Sequence, residues 1–206
     1  MTTSPRFGTT GTKMRNKIGI FGGTFNPVHK GHRAVALSFI ERLGLDLLYV
    51  IPNNIPPLKE SHGVSGEDRL KMLELAFADV ERVRVSDIEL RREGMSFTCD
   101  TVQEIKQLHP QDELFLLTGD DWIDRFDQWR NYKSILENAN LVVAYRENSD
   151  ISDAIERIRA VSPNRVLLLE NARMKMSSTD FRSKPDRSLV PDGVYEYIEE
   201  RGLYRK

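Results

Sequence analysis

The stretch "GIFGGTFNPVHKGH", residues Gly19–His32, decides how the chain is read. A short apolar run meets two glycines and a proline, and then two histidines three residues apart. In a parallel sheet, ligands bind beyond the carboxyl ends of strands, which is where such a run would end. Gly22 and Gly23 are expected to let the backbone turn sharply and come close to a ligand. A helix is expected to start near Lys30–Gly31, its free N–H groups and positive dipole end forming an anion site. With Gly31–His32 in the first turn, His29 and His32 can face one phosphate cluster. Gly31 between them removes a side chain that would block close approach. Each part is less specific alone. A Gly-Gly turn is common, and a single histidine near a helix start is more often a cap or surface residue. HxxH spacing can also bind zinc, but no third ligand is evident. The conjunction is what points to phosphate handling.

Outward from this stretch, apolar runs alternate with helical patterns. Residues 17–22, 46–52, 82–88, 113–119, 140–145 and 165–170 read as strands, several of them apolar on both faces. Helices are expected near 31–43, 66–79, 98–109, 131–138 and 151–161. A last one lies in "PDGVYEYIEERG", with Pro191 near its start and Gly202 at its end. This alternation predicts a single α/β domain: a doubly wound, Rossmann-like, mainly parallel sheet of about six strands with helices on both faces. Residues 1–16 are Ser/Thr/Gly-rich and without periodicity, and read as a disordered extension before a domain over 17–206. The Pro-rich 51–63 segment is a candidate substrate loop.

Composition limits the partners. The 206 residues hold 30 basic and 31 acidic side chains, a balance that argues against a nucleic-acid-coating surface. Apolar runs are strand-sized, far short of a membrane span. The lone cysteine, Cys99, permits no internal disulfide and fits a cytoplasmic location.

A second phosphate element is "KMSSTDFR", residues 175–182, after the sixth strand. Ser177 or Ser178 can cap the next helix, with Asp180 near its start, and for the serines alone an ordinary cap is the better reading. Arg182 shifts the balance, because its planar fork suits two phosphate oxygens.

"GGTFNPVHKGH" resembles the "GGTFDPxHxGH" signature of the nucleotidyltransferase superfamily. Within that superfamily the chain is similar to the bacterial nicotinate-nucleotide adenylyltransferase family over about residues 17–204. "IPNNIPPLK", "REGMSFTCDTV", "LTGDDWIDRFDQW", "NANLVVAYR", "MSSTDFR" and "YIEERGLY" agree in order. The resemblance implies an enzyme that transfers the adenylyl group of ATP to nicotinate mononucleotide in NAD biosynthesis. Pyrophosphate leaves, and Mg²⁺ is carried with ATP rather than by a metal cluster of the protein. It implies catalytic roles for His29, His32 and Arg182. ATP contacts are implied for Gly22, Gly23, Thr24, Phe25, Gly119, Asp121, Ser177, Ser178 and Thr179. Asn53, Asn54, Lys59, Thr98 and Trp129 are implied on the mononucleotide side. Trp129 would stack on the pyridine ring, and backbone amides near Thr98 would receive the nicotinate carboxylate. From its polar surroundings alone, Trp129 reads as half-buried packing. Thr98 reads as a helix cap, Asn53 and Asn54 as a turn.

The chain departs from the family pattern at Asn26, which replaces an Asp, at Leu58, which replaces a His, at Met95 and Phe97, and in 146–150. Both phosphate elements are intact. The competing readings are a nucleotidyltransferase for nicotinamide mononucleotide or another small phosphate, and a catalytically silent nucleotide-binding module.

Overall fold

A computed structural model describes residues 15–54, 64–145, 150–162, 165–170 and 176–205. Lys59, Leu58 and residues 1–14 lie outside the described residues. The chain runs β1 (Lys17–Gly23), α1 (Lys30–Leu43), β2 (Leu47–Pro52), α2 (Gly66–Ala76), β3 (Val83–Val85), α3 (Thr98–Leu108), β4 (Glu113–Gly119), α4 (Asp120–Ile123), α5 (Tyr132–Asn138), β5 (Asn140–Tyr145), α6 (Ser152–Val161), β6 (Val166–Glu170), α7 (Ser178–Ser183) and α8 (Asp192–Arg201).

Every strand pairing is parallel, in the order β3-β2-β1-β4-β5-β6. The expected sheet of six strands is therefore the one found. The third strand is shorter than its apolar run. It pairs on one side only, and its register with β2 ends at Val50↔Val85. Ser86 adds one more bond, to the Val50 carbonyl, before the chain turns away.

Alternate strand residues divide between two cores, as the two-residue period requires. On one face Ile18, Ile20, Leu116 and Val143 meet α3, α5 and α6. On the other, Leu48, Val50, Leu117 and Val142 meet α1, α2 and α8. Burial on both faces explains why these strands read as continuous apolar runs rather than alternating ones. The residue before β1 is tied to the sheet. Asn16 donates its N–H to Asp112 Oδ1 at 3.0 Å and accepts from the Glu113 N–H at 2.9 Å.

The order 3-2-1 then 4-5-6 reverses between β1 and β4. At such a switch point the connections leave to opposite sides, and their first residues part to form a crevice. The crevice here opens at the carboxyl ends of β1, β4 and β5.

Candidate functional site

A cleft of about 660 Å³ occupies the switch point. The β1–α1 loop forms one wall. Gly22 and Gly23 do not make the expected sharp turn; both lie in β1, and neither has a positive φ. The turn falls instead at Phe25, with φ 47°. Its ring folds back so closely that a Cβ on Gly23 would lie 2.9 Å from it, which is why that position must be glycine. Gly22 presents bare backbone to the cleft.

Helix α1 begins as expected, and its cap is built from the two histidines. The His29 Nδ1 accepts the His32 backbone N–H, and the His32 Nδ1 accepts the His29 N–H, each at 3.2 Å. This is the geometry of a capping box with imidazoles in place of the usual Ser and Glu. The rings stack with centroids 3.6 Å apart and planes 22° apart. With both Nδ1 atoms accepting, the proton of each neutral ring sits on Nε2. Burial lowers the His29 pKa to about 4, against a smaller opposing pull from Asp180. Burial, and then the neighbouring His29, push His32 well below the ordinary histidine value. Both rings are thus uncharged donors at neutral pH in the free protein. Gly31 is needed because a Cβ would lie 2.9 Å from His29 Nδ1 and 3.1 Å from Met176 Cγ. The Met176 Sδ accepts the Gly31 N–H at 3.0 Å, a weak acceptor at the helix start.

The 176–183 segment closes over this wall. Ser177 caps α7 reciprocally with Asp180, the ordinary role. Ser178 instead donates to the Pro27 carbonyl at 2.8 Å. The Arg182 fork donates to the Asn26 carbonyl at 2.7 Å and to Thr179 Oγ1 at 3.0 Å. Ser177 and Ser178 line the cleft, whereas Thr179 and Arg182 do not. Arg182 holds the β1–α1 loop from the side away from the cleft. The Tyr204 hydroxyl donates to Asn26 Oδ1. Asn26, which stands where the pattern has Asp, therefore keeps the acceptor oxygen and loses only the charge.

Gly119, the last residue of β4, and Asp121 line the cleft beside Thr24 and Phe25. Asn53, Thr98 and Trp129 line the cleft as well, with the Asn53 N–H donating to the Gly23 carbonyl at 2.9 Å. Thr98 is not the cap of α3; the cap position is Phe97, and among the described residues no side-chain cap bond is made there. The start of α3 is thus open to an anion. Trp129 is half-buried against Phe126, with centroids 5.1 Å apart, and still shows a surface to the cleft. Asn54 stays off the cleft and donates to the Arg92 and Gly94 carbonyls.

Three residues escaped the sequence reading. Trp122, 58% exposed, stands on the cleft rim next to Asp121. Glu89 lines the cleft floor although it is buried; burial raises its pKa, while the Thr101 hydroxyl donates to it at 2.7 Å. Arg69 lies behind the phosphate loop, and its signal was available. It sits at the first position of the i, i+3, i+4, i+7 stripe Arg69, Met72, Leu73, Ala76, so the period itself placed a charge in the core.

The cytidylyltransferase-like family profile matches residues 20–184. A Geobacillus thermodenitrificans protein named probable nicotinate-nucleotide adenylyltransferase is 38% identical, over 91% of this chain and 86% of its own. A Neisseria meningitidis protein of the same name is 34% identical over 92% and 99%. The chain belongs to this family. Solved structures agree in fold. Plasmodium falciparum nicotinic acid mononucleotide adenylyltransferase superposes with TM-scores of 0.73 complexed with APC and 0.75 complexed with NaAD. The two match at 22% and 20% identity, each over 92% of this chain and 98% of theirs. The family membership expected from "GGTFNPVHKGH" is the one found, and the expected enzyme class, an adenylyl-transferring nucleotidyltransferase, holds with it. Among the described residues, no helix is long and apolar enough to cross a membrane.

Proposed function

We propose that the cleft joins the adenylyl group of ATP to nicotinate mononucleotide, giving nicotinate adenine dinucleotide and pyrophosphate. One observation carries the assignment of ends. Two helix starts face a single cleft, one capped by donor imidazoles and the other, beside Trp129, bare of any side-chain cap.

The mononucleotide phosphate is a monoester whose second pKa is near ~6, so it is already largely ionised at neutral pH. It attacks the α-phosphorus of ATP in line and needs no general base. Catalysis is then placement of two mutually repelling anions, together with stabilisation of charge on the leaving pyrophosphate. The Nε2–H groups of His29 and His32 are the donors for phosphate oxygens near α1. Arg182 and the 177–179 segment close on the triphosphate. Magnesium enters with ATP as part of that substrate, bound through phosphate oxygens and water. Gly119 and Asp121 meet the nucleotide. Asn53 and Lys59 flank the mononucleotide, Trp129 stacks on its pyridine ring, and the first-turn N–H groups of α3 take the carboxylate. The lone Cys99 suits a reducing, cytoplasmic setting.

The reading distinguishes acid from amide. Backbone N–H groups only donate, which fits a carboxylate and opposes an amide NH₂. Incubation with MgATP and either mononucleotide, with pyrophosphate release followed, should therefore show preference for nicotinate. Trp129→Ala should raise the mononucleotide KM about ten- to a hundredfold, since base stacking is worth roughly 1–3 kcal/mol. The ATP KM should stay nearly unchanged. Equal use of nicotinamide mononucleotide would overturn the carboxylate site. A rise confined to the ATP KM would return Trp129 to packing.

A further inference from the structure

The face that α2 turns to the core is Arg69, Met72, Leu73 and Ala76. Three are ordinary core residues. Arg69 is 2% exposed and heads the fully buried side chains by volume. Among the described residues it has no carboxylate partner. Its Nη1 donates to the carbonyls of Thr24 and Asn53, both at 2.9 Å, and its Nε is buried without a partner. Burying a guanidinium on such terms is costly, and a Met or Leu would fill the space more cheaply. Packing does not account for it.

The two carbonyls do. Thr24 precedes the strained Phe25 in the loop below the histidine cap, and Asn53 directly follows β2 and lines the cleft on the side proposed for the mononucleotide. One nitrogen ties the two together. A trans peptide is planar, so a Thr24 carbonyl held toward Arg69 turns the Phe25 N–H away from it. A bulky residue at positive φ persists only where its surroundings hold it.

We propose that Arg69 is a positioning residue for nucleotidyl transfer: from behind the cleft it clamps the phosphate loop to the end of β2, fixing the spacing of the two substrates. This rests on the two-ended cleft proposed above. It touches neither substrate. Its loss should therefore spare the binding of each substrate alone and damage the step that needs both in register.

The test is Arg69→Met, with Met72→Ala as control for packing loss on the same face of α2. Turnover, ATP affinity by calorimetry and Tm are measured for each. Arg69→Met should lower kcat about a hundredfold, the scale of a 1 Å misplacement of reacting groups, with ATP affinity within about threefold of wild type. Met72→Ala should lower Tm yet keep kcat within about threefold. Arg69→Lys, which keeps one donor-bearing charge, should fall between, and it carries the test if Arg69→Met does not fold. A kcat near wild type in a folded Arg69 variant overturns the proposal, as does an equal kcat loss in Met72→Ala at matched Tm. A wild type that releases no pyrophosphate would instead sink the proposed function.

Discussion

The stacked histidine cap predicts a specific loss of stability in mild acid. Each Nδ1 must accept a backbone N–H, and each ring lies 3.6 Å from the other. Protonating either ring removes an acceptor and places a charge in a buried pocket. The His29 pKa falls from the ordinary 6.5 to about 4 in the folded protein, with burial as the main cause. His29 is 7% exposed, so the shift is little screened by solvent. Its sign is fixed by linkage. Below pH 6.5 the unfolded chain takes up the proton and the folded one does not, so stability present above 6.5 is lost as pH falls toward 4. At ~1.4 kcal/mol for each tenfold change in proton affinity, His29 contributes roughly 3 kcal/mol across that window. For a chain of this size that is about 6–12 °C in Tm. The variant to compare is His29→Asn, because asparagine is also a good N-cap acceptor but does not titrate. Glu89, whose buried carboxyl has a raised pKa, works in the opposite direction, and it does so equally in both proteins. Thermal unfolding between pH 7 and pH 4 should show the wild type losing several degrees more than His29→Asn. Parallel curves would refute the neutral, reciprocally capped pair.

Further outcomes follow from the same geometry. On the proposed reaction, His32→Ala removes an Nε2–H donor to developing charge and should cost about 2.7–4 kcal/mol, mainly in kcat; a folded mutant with near-normal kcat would take His32 out of catalysis. Arg182→Ala should weaken ATP more than the mononucleotide, and Arg182→Lys should recover only part, since one ammonium cannot reproduce the fork to Asn26 and Thr179. Equal ATP affinity in all three proteins by calorimetry would contradict that. Gly31→Ala, whose Cβ would crowd His29 Nδ1, should raise the ATP KM at least tenfold while far-UV circular dichroism stays unchanged; unaltered ATP kinetics would show that the cap has room to shift.

What was legible in the sequence was what depends on local pattern. The six strands and the starts of α1, α2 and α8 follow from hydrophobic runs, Gly, Pro and Ser at their usual posts, and apart from the end of β3 these lie within a residue or two of expectation. The details that local pattern did not show depend on how side chains fold onto backbone. Gly23 was read as a turn residue, yet its constraint is the Phe25 ring folding over it. Thr98 was read as a cap, although the chain enters α3 one residue earlier. The fork of Arg182 was read as suited to phosphate oxygens, and no local pattern showed that it also meets the Asn26 carbonyl, 156 positions away. Periodicity says which face is buried; it does not say which carbonyl waits there.

The site meets a chemical problem that net charge would solve badly. Both substrates and both products carry phosphate charge, and the chain as a whole carries a formal −1. A cleft lined with permanent cations would bind pyrophosphate as firmly as it binds the transition state, and uniform binding does not raise kcat. The donors nearest the α1 end are instead helix N–H groups and two imidazoles kept neutral by burial. Such dipoles are fixed in place by the fold, and they reward charge where it develops without holding every anion alike. Among the described residues, two guanidinium charges stand back from the cleft: Arg182 outside the 24–27 loop, and Arg69 beneath it. Both bind backbone carbonyls of that loop, and on the proposed reaction Arg182 also closes on the triphosphate. Between them, Ser178 and the Tyr204 hydroxyl bind Pro27 and Asn26 of the same loop, so α2, α7 and the C-terminal segment converge on the short stretch Thr24–Pro27. A loop so held can keep Phe25 at positive φ and its N–H on line without a ligand present. That is the form of preorganisation that in-line transfer between two anions requires.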